Sequence, residues 1–68
     1  MSTETYTVTG MTCGHCVSSV TEEVSEIPGV TDVQVDLESG RLTVTAEQPV
    51  GEPTVRTAVE EAGYQLAG

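Results

Sequence analysis

The chain of 68 residues has no lysine, phenylalanine or tryptophan, and its only fixed cations are Arg41 and Arg56. Against these stand 11 acidic residues, for a formal net charge of −9 at pH 7. A protein that neutralises phosphates needs a basic stripe, so nucleic-acid binding is excluded. An anionic bilayer surface repels the chain by the same Coulombic argument, and no direct membrane binding is expected. No apolar run approaches the roughly 20 residues of a membrane span. The start Met1-Ser2-Thr3-Glu4 has neither the cationic nor the apolar region of a signal peptide, so a cytoplasmic location is expected. Any macromolecular partner should be basic or neutral where it makes contact.

Aromatic residues are nearly absent as well, limited to Tyr6 and Tyr64, and the hydrophobic fraction of 37% is mostly valine. A chain this short buries only about 60% of its unfolded surface and forms one domain, expected over residues 1–68. Its core supplies no more than about 3–5 kcal/mol, so stability rests on a compact valine core or on a staple. Cys13 and Cys16 are the only cysteines. A bridge between residues three apart closes too small a loop to constrain the unfolded chain, so a structural disulfide is a poor reading. In a reducing compartment a Cys-x-x-Cys pair binds metal or does redox chemistry.

The apolar pattern orders the elements. Residues 4 to 8 alternate, with Tyr6 and Val8 on one face, and read as a strand. Gly10 ends it, and Met11 to His15 connect into a helix from Cys16. That helix carries Val17, Val20, Val24 and Ile27 on one stripe and stops at Pro28-Gly29. Val33, Val35 and Leu37, then Leu42, Val44 and Ala46, alternate along two strands joined by a tight Ser39-Gly40 turn. Glu47 to Pro53 is a loop, with Pro53 suited to the first turn of a second helix from near Thr54. Val55, Ala58, Val59 and Ala62 form its stripe, and Gly63 can close it in the left-handed conformation. Tyr64 to Ala67 can supply a last short strand. The order βαββαβ predicts an α+β, ferredoxin-like sandwich: a four-stranded antiparallel sheet with both helices on one face and right-handed crossovers.

Cys13 and Cys16 fall at the loop-to-helix junction, where i, i+3 spacing turns both sulfurs to the same side. Unpaired N–H groups and the positive dipole end at a helix N-terminus favour thiolates. A closed zinc site takes four ligands, more than two cysteines and one histidine supply. Two soft thiolates suit Cu(I). Met11 fits a gap-filling core residue better than a ligand. His15 has three readings: an exposed helix-start residue, a tuner of the thiols, or a third ligand. Glu22-Glu23 and Glu60-Glu61 fall on solvent faces, where carboxylates serve solubility first and docking as a second reading.

The segment Gly10-Met11-Thr12-Cys13-Gly14-His15-Cys16-Val17 resembles the metal-binding signature of heavy-metal-associated domains, the cytosolic copper chaperones of bacteria above all. Gly63-Tyr64 also falls in register, so the resemblance spans nearly the whole chain. It implies a carrier rather than an enzyme. It further implies Cu(I) on Cys13 and Cys16, Met11 directed into the core and Tyr64 near the metal. Its implied partners are a copper-exporting P-type ATPase and a copper-sensing repressor, with a copper-bridged homodimer as a further state. The absence of lysine means that basic docking faces used by some relatives are missing, so docking polarity should be reversed. Two alternatives stay open, a thiol-disulfide oxidoreductase and a carrier of another soft metal such as mercury. For the first, the chain lacks a tryptophan before Cys13 and a proline between the cysteines.

Overall fold

The computed structural model describes residues 1–67; Gly68, the last residue of the domain expected over 1–68, lies outside the described residues. The elements are β1 (Ser2–Thr9), α1 (Gly14–Ser25), β2 (Val30–Asp36), β3 (Arg41–Ala46), α2 (Glu52–Glu61) and β4 (Gln65–Leu66). Their order is the expected one. The four strands form one sheet in the order β2-β3-β1-β4, with every neighbouring pair antiparallel. This is the ferredoxin-like sandwich that the alternation of strand and helix patterns predicts.

One apolar cluster explains why both helices lie on the same face. Val8, Leu42 and Val44 point inward from the strands to meet Val20 and Val24 of α1 and Val55 and Val59 of α2. Leu42, Val20, Val24, Val55 and Val59 are wholly enclosed, so a core without large aromatics closes through β-branched side chains. Tyr6 and Met11 pack at its margin. The opposite sheet face is threonine-rich. Thr3 stands across from Thr45, and Thr5 from Thr43.

Three local features differ from the sequence reading. First, α1 begins at Gly14, two residues early, because the carbonyl of Cys13 accepts the first helical hydrogen bonds, from Cys16 N–H at 3.1 Å and Val17 N–H at 3.4 Å. Second, its buried stripe is Cys16, Val20 and Val24, continued by Ile27, while Val17 is only half-buried. Third, the β2–β3 connection is wider than a two-residue turn. Asp36 pairs with Arg41, which leaves four residues in the loop and puts Leu37 at its exposed start.

The wider turn is anchored on β1. Gly40 has φ +74°, and Val8 N–H donates to its carbonyl at 2.7 Å. A Cβ at position 40 would lie 2.6 Å from the Val8 carbonyl oxygen, so glycine is required by both conformation and close approach. Gly40→Ala is expected to destabilise the fold by more than about 1 kcal/mol, read as a lower urea midpoint with unchanged slope.

Charge is the other global constraint. Among the described residues the one salt bridge is Arg56–Glu52, an exposed i, i+4 pair worth no more than about 0.5 kcal/mol. The remaining carboxylates share a body of 30 × 20 × 17 Å. Many therefore lie within the Debye length of about 10 Å at 0.1 M salt, which shrinks to about 3 Å at 1 M. The melting temperature should rise as NaCl is raised from millimolar to molar, by about 4–8 °C for each kcal/mol of repulsion relieved. A melting temperature independent of salt would refute this account.

Candidate metal centre

The site is built where β1 ends and α1 begins. Cys13 is the N-cap of α1, with extended backbone (φ −158°, ψ 176°), and its side chain makes no capping hydrogen bond. Its sulfur is thus exposed and uncommitted to the backbone. Cys16 sits one turn in, on the buried stripe, and is only 9% exposed. The two sulfurs stand 3.7 Å apart as free thiols. Both can therefore contact one soft ion at metal–sulfur distances of about 2.3 Å.

Cys16 is held as a thiolate. Its pKa is lowered from 9.0 to about 6, first by a backbone hydrogen bond from Thr12, then by the Tyr64 hydroxyl and a backbone hydrogen bond from Cys13, with burial opposing. The Thr12 hydroxyl adds a contact at 3.8 Å. Local N–H groups of the loop thus do most of what the helix dipole was expected to do. Tyr64 responds in the opposite direction, its phenol pushed above 10.0 mainly by its hydrogen bond to Cys16. At neutral pH a neutral phenol therefore donates to a charged sulfur.

Tyr64 reaches Cys16 because of how α2 ends. Gly63 has φ +96°. Its N–H donates to the Glu60 carbonyl at 3.0 Å, and Tyr64 N–H donates to the Val59 carbonyl at 3.1 Å, the paired bonds of a glycine-closed helix terminus. The chain is thereby turned back so that Tyr64 packs on the core and its hydroxyl meets the sulfur.

The other expected residues fall apart from the sulfurs. Met11 is half-buried against the core, as a gap-filler would be. His15 lies exposed on the first turn of α1. Among the described residues no group of three His, Cys, Asp or Glu is arranged to hold a metal ion, so His15 and the cysteines form no three-ligand set. Thr12 was not singled out from the sequence. Its place four residues before Cys16, just outside a helix start, is the signal that could have found it.

Residues 5–65 match the heavy-metal-associated domain family. The chain belongs to that family. Among curated heavy-metal-associated relatives, the copper chaperone CopZ of Staphylococcus aureus is 39% identical over 67 residues, which cover 97% of this chain and 98% of the relative. A solved CopZ metallochaperone superposes with a TM-score of 0.90 at 37% identity, over 97% of this chain and all 100% of the other. A copper binding domain from HMA7, a P-type ATPase, gives a TM-score of 0.90 at 31% identity, over 98% and 92% of the two chains. Among the described residues no helix is long and apolar enough to cross a membrane.

The Tyr64–Cys16 hydrogen bond makes a direct test. In a Cys13→Ser background, the alkylation rate of Cys16 should rise with pH about a midpoint near 6. Tyr64→Phe removes a donor that favours the thiolate, so the midpoint should move upward, toward 9.0. An unchanged midpoint would remove Tyr64 from the site.

Proposed function

We propose that residues 1–68 form a single heavy-metal-associated domain that carries one Cu(I) on the Cys13 and Cys16 thiolates. The observation that carries this reading is the pair of free sulfurs at 3.7 Å, one exposed and one held as thiolate at the helix start. Two sulfurs without a third protein ligand suit a monovalent soft ion that tolerates low coordination. The similarity to copper chaperones supports the choice of copper over another soft metal such as mercury.

Handover follows as ligand exchange. The exposed Cys13 sulfur is the one an incoming thiolate can approach. That thiolate forms a bond to copper, the Cys13–copper bond breaks, and the released sulfur takes up a proton. A second exchange at Cys16 completes transfer, and copper stays Cu(I) throughout. The receiving protein is a copper-exporting P-type ATPase, a reading supported by the matching fold of a copper binding domain from a P-type ATPase. Exchange with a copper-sensing repressor and a copper-bridged homodimer belong to the same thiolate chemistry. The setting is the cytoplasm, where thiols stay reduced.

The oxidoreductase alternative fits less well. A nucleophile for protein disulfides has to be both reactive and accessible, whereas the thiol whose pKa is lowered here is the buried Cys16. The protein is accordingly a carrier and not an enzyme. Turnover of insulin disulfides with a thiol donor would overturn that assignment.

Anaerobic Cu(I) titration of the reduced protein against a chromophoric chelator should show one ion per chain. Cys13→Ser and Cys16→Ser should each abolish tight binding, with far-ultraviolet circular dichroism unchanged, since neither sulfur anchors the centre of the core. Full affinity in either single variant would rule out the two-thiolate site.

A further inference from the structure

We propose that the groove between α1 and α2 seats an arginine or lysine side chain of a protein partner. The groove has a volume of about 500 Å³ and is lined by Glu23, Glu26 and Glu61 about a floor that includes Ile27 and Ala58. Ile27 and Ala58 are 8% and 6% exposed, so their apolar surface at the floor is continuous with the core. A long basic side chain matches this layout, its methylene stem on the apolar floor and its charged head among the carboxylates.

Among the described residues no cation of the chain forms an ion pair with these groups. Arg56 is committed to Glu52, with Nη2 at 2.5 Å from Oε1. Arg41 opens β3, opposite Thr7 and Asp36 in the sheet. Glu23, in the last turn of α1, and Glu26, its C-cap, are three apart, where like charges at the negative end of the helix dipole repel. Glu61 adds a third negative charge from α2. An external cation relieves that repulsion and matches the charge of the groove.

The alternatives are weaker. A second copy brings another net charge of −9 and no lysine. A bare metal ion lacks its ligand set, since no three such side chains among the described residues converge on one point. Glu23 and Glu26 stand at the end of α1 away from the cysteines, and Pro53 and Thr54 open α2 at the end away from Tyr64, so a partner held in the groove sits at the far end of the helix pair from the two sulfurs. The purpose of the contact rests on the handover reading, whereas its existence is testable on metal-free protein.

The test uses methyl NMR of the metal-free protein at low salt with three probes: an arginine-bearing helical peptide, its citrulline counterpart and spermidine. The arginine peptide should shift the Ile27 and Ala58 signals saturably, and the uncharged citrulline peptide should bind about tenfold more weakly. Neutralising the rim with Glu23→Gln, Glu26→Gln and Glu61→Gln should weaken the arginine peptide about tenfold, as expected for three exposed charge pairs. A control with Asp32→Asn, Glu38→Gln and Glu47→Gln should change it by less than about twofold. Glu23 is half-buried and the other five positions are exposed, and circular dichroism checks that both variants stay folded. Equal loss in the control, equal binding of citrulline, or saturation of the same signals by spermidine with equal affinity would overturn the proposal. Failure of wild-type protein to bind Cu(I) would instead overturn the carrier reading and leave the groove result intact.

Discussion

The metal centre depends on Cys16 belonging to two structures at once. Its side chain is the first member of the buried stripe that docks α1 on the sheet, ahead of Val20 and Val24. Its sulfur is also the acceptor for Thr12, Tyr64 and the Cys13 backbone. Packing therefore sets the position and direction of the sulfur, while the loop sets its charge. Moving the stripe by one residue, onto Val17, would turn the thiol away from the loop donors. Cys13 has the complementary role. As the N-cap it holds an extended backbone and gives up its carbonyl to the helix, which leaves its side chain free.

Backbone contacts brace the elements that lead to this pair. The glycine-closed end of α2 brings in Tyr64, β1 ends at the loop itself, and the β2–β3 turn is tied to β1 through Gly40 and Val8. The site is thus held by elements distant in sequence although its two sulfurs are three residues apart. Such preorganisation suits a carrier, because neither sulfur has to be gathered from a flexible chain when the ion arrives. Under the proposed handover, the exposure difference between the sulfurs offers an open one to begin the exchange and an enclosed one to complete it.

Surface charge acts over a longer range. With one weak ion pair among the described residues and a net charge of −9, the protein repels copies of itself and anionic surfaces and attracts cationic faces, less strongly as salt rises. The same excess opposes compaction. A core made mostly of valine therefore works against both chain entropy and surface repulsion, so ionic strength tunes stability and docking together.

Fold class, element order and the place of both cysteines at the start of α1 were legible in the sequence, because each rests on local periodicity or spacing. Alternation of period two and stripes of period 3.6 specify strands and helices directly. The alternation runs on through Leu37 and so predicts a tight β2–β3 turn, whereas the strand stops where Asp36 pairs with Arg41. The stripe was read through Val17 because cysteine was counted as a ligand and not also as a core residue. What tertiary structure alone decided is the inequality of the two thiols, the donation from Thr12 and Tyr64 to one of them, and the gathering of Glu23, Glu26 and Glu61 about one groove. Those depend on how α2 lies against α1. Contacts between residues far apart along the chain leave no mark in its local pattern.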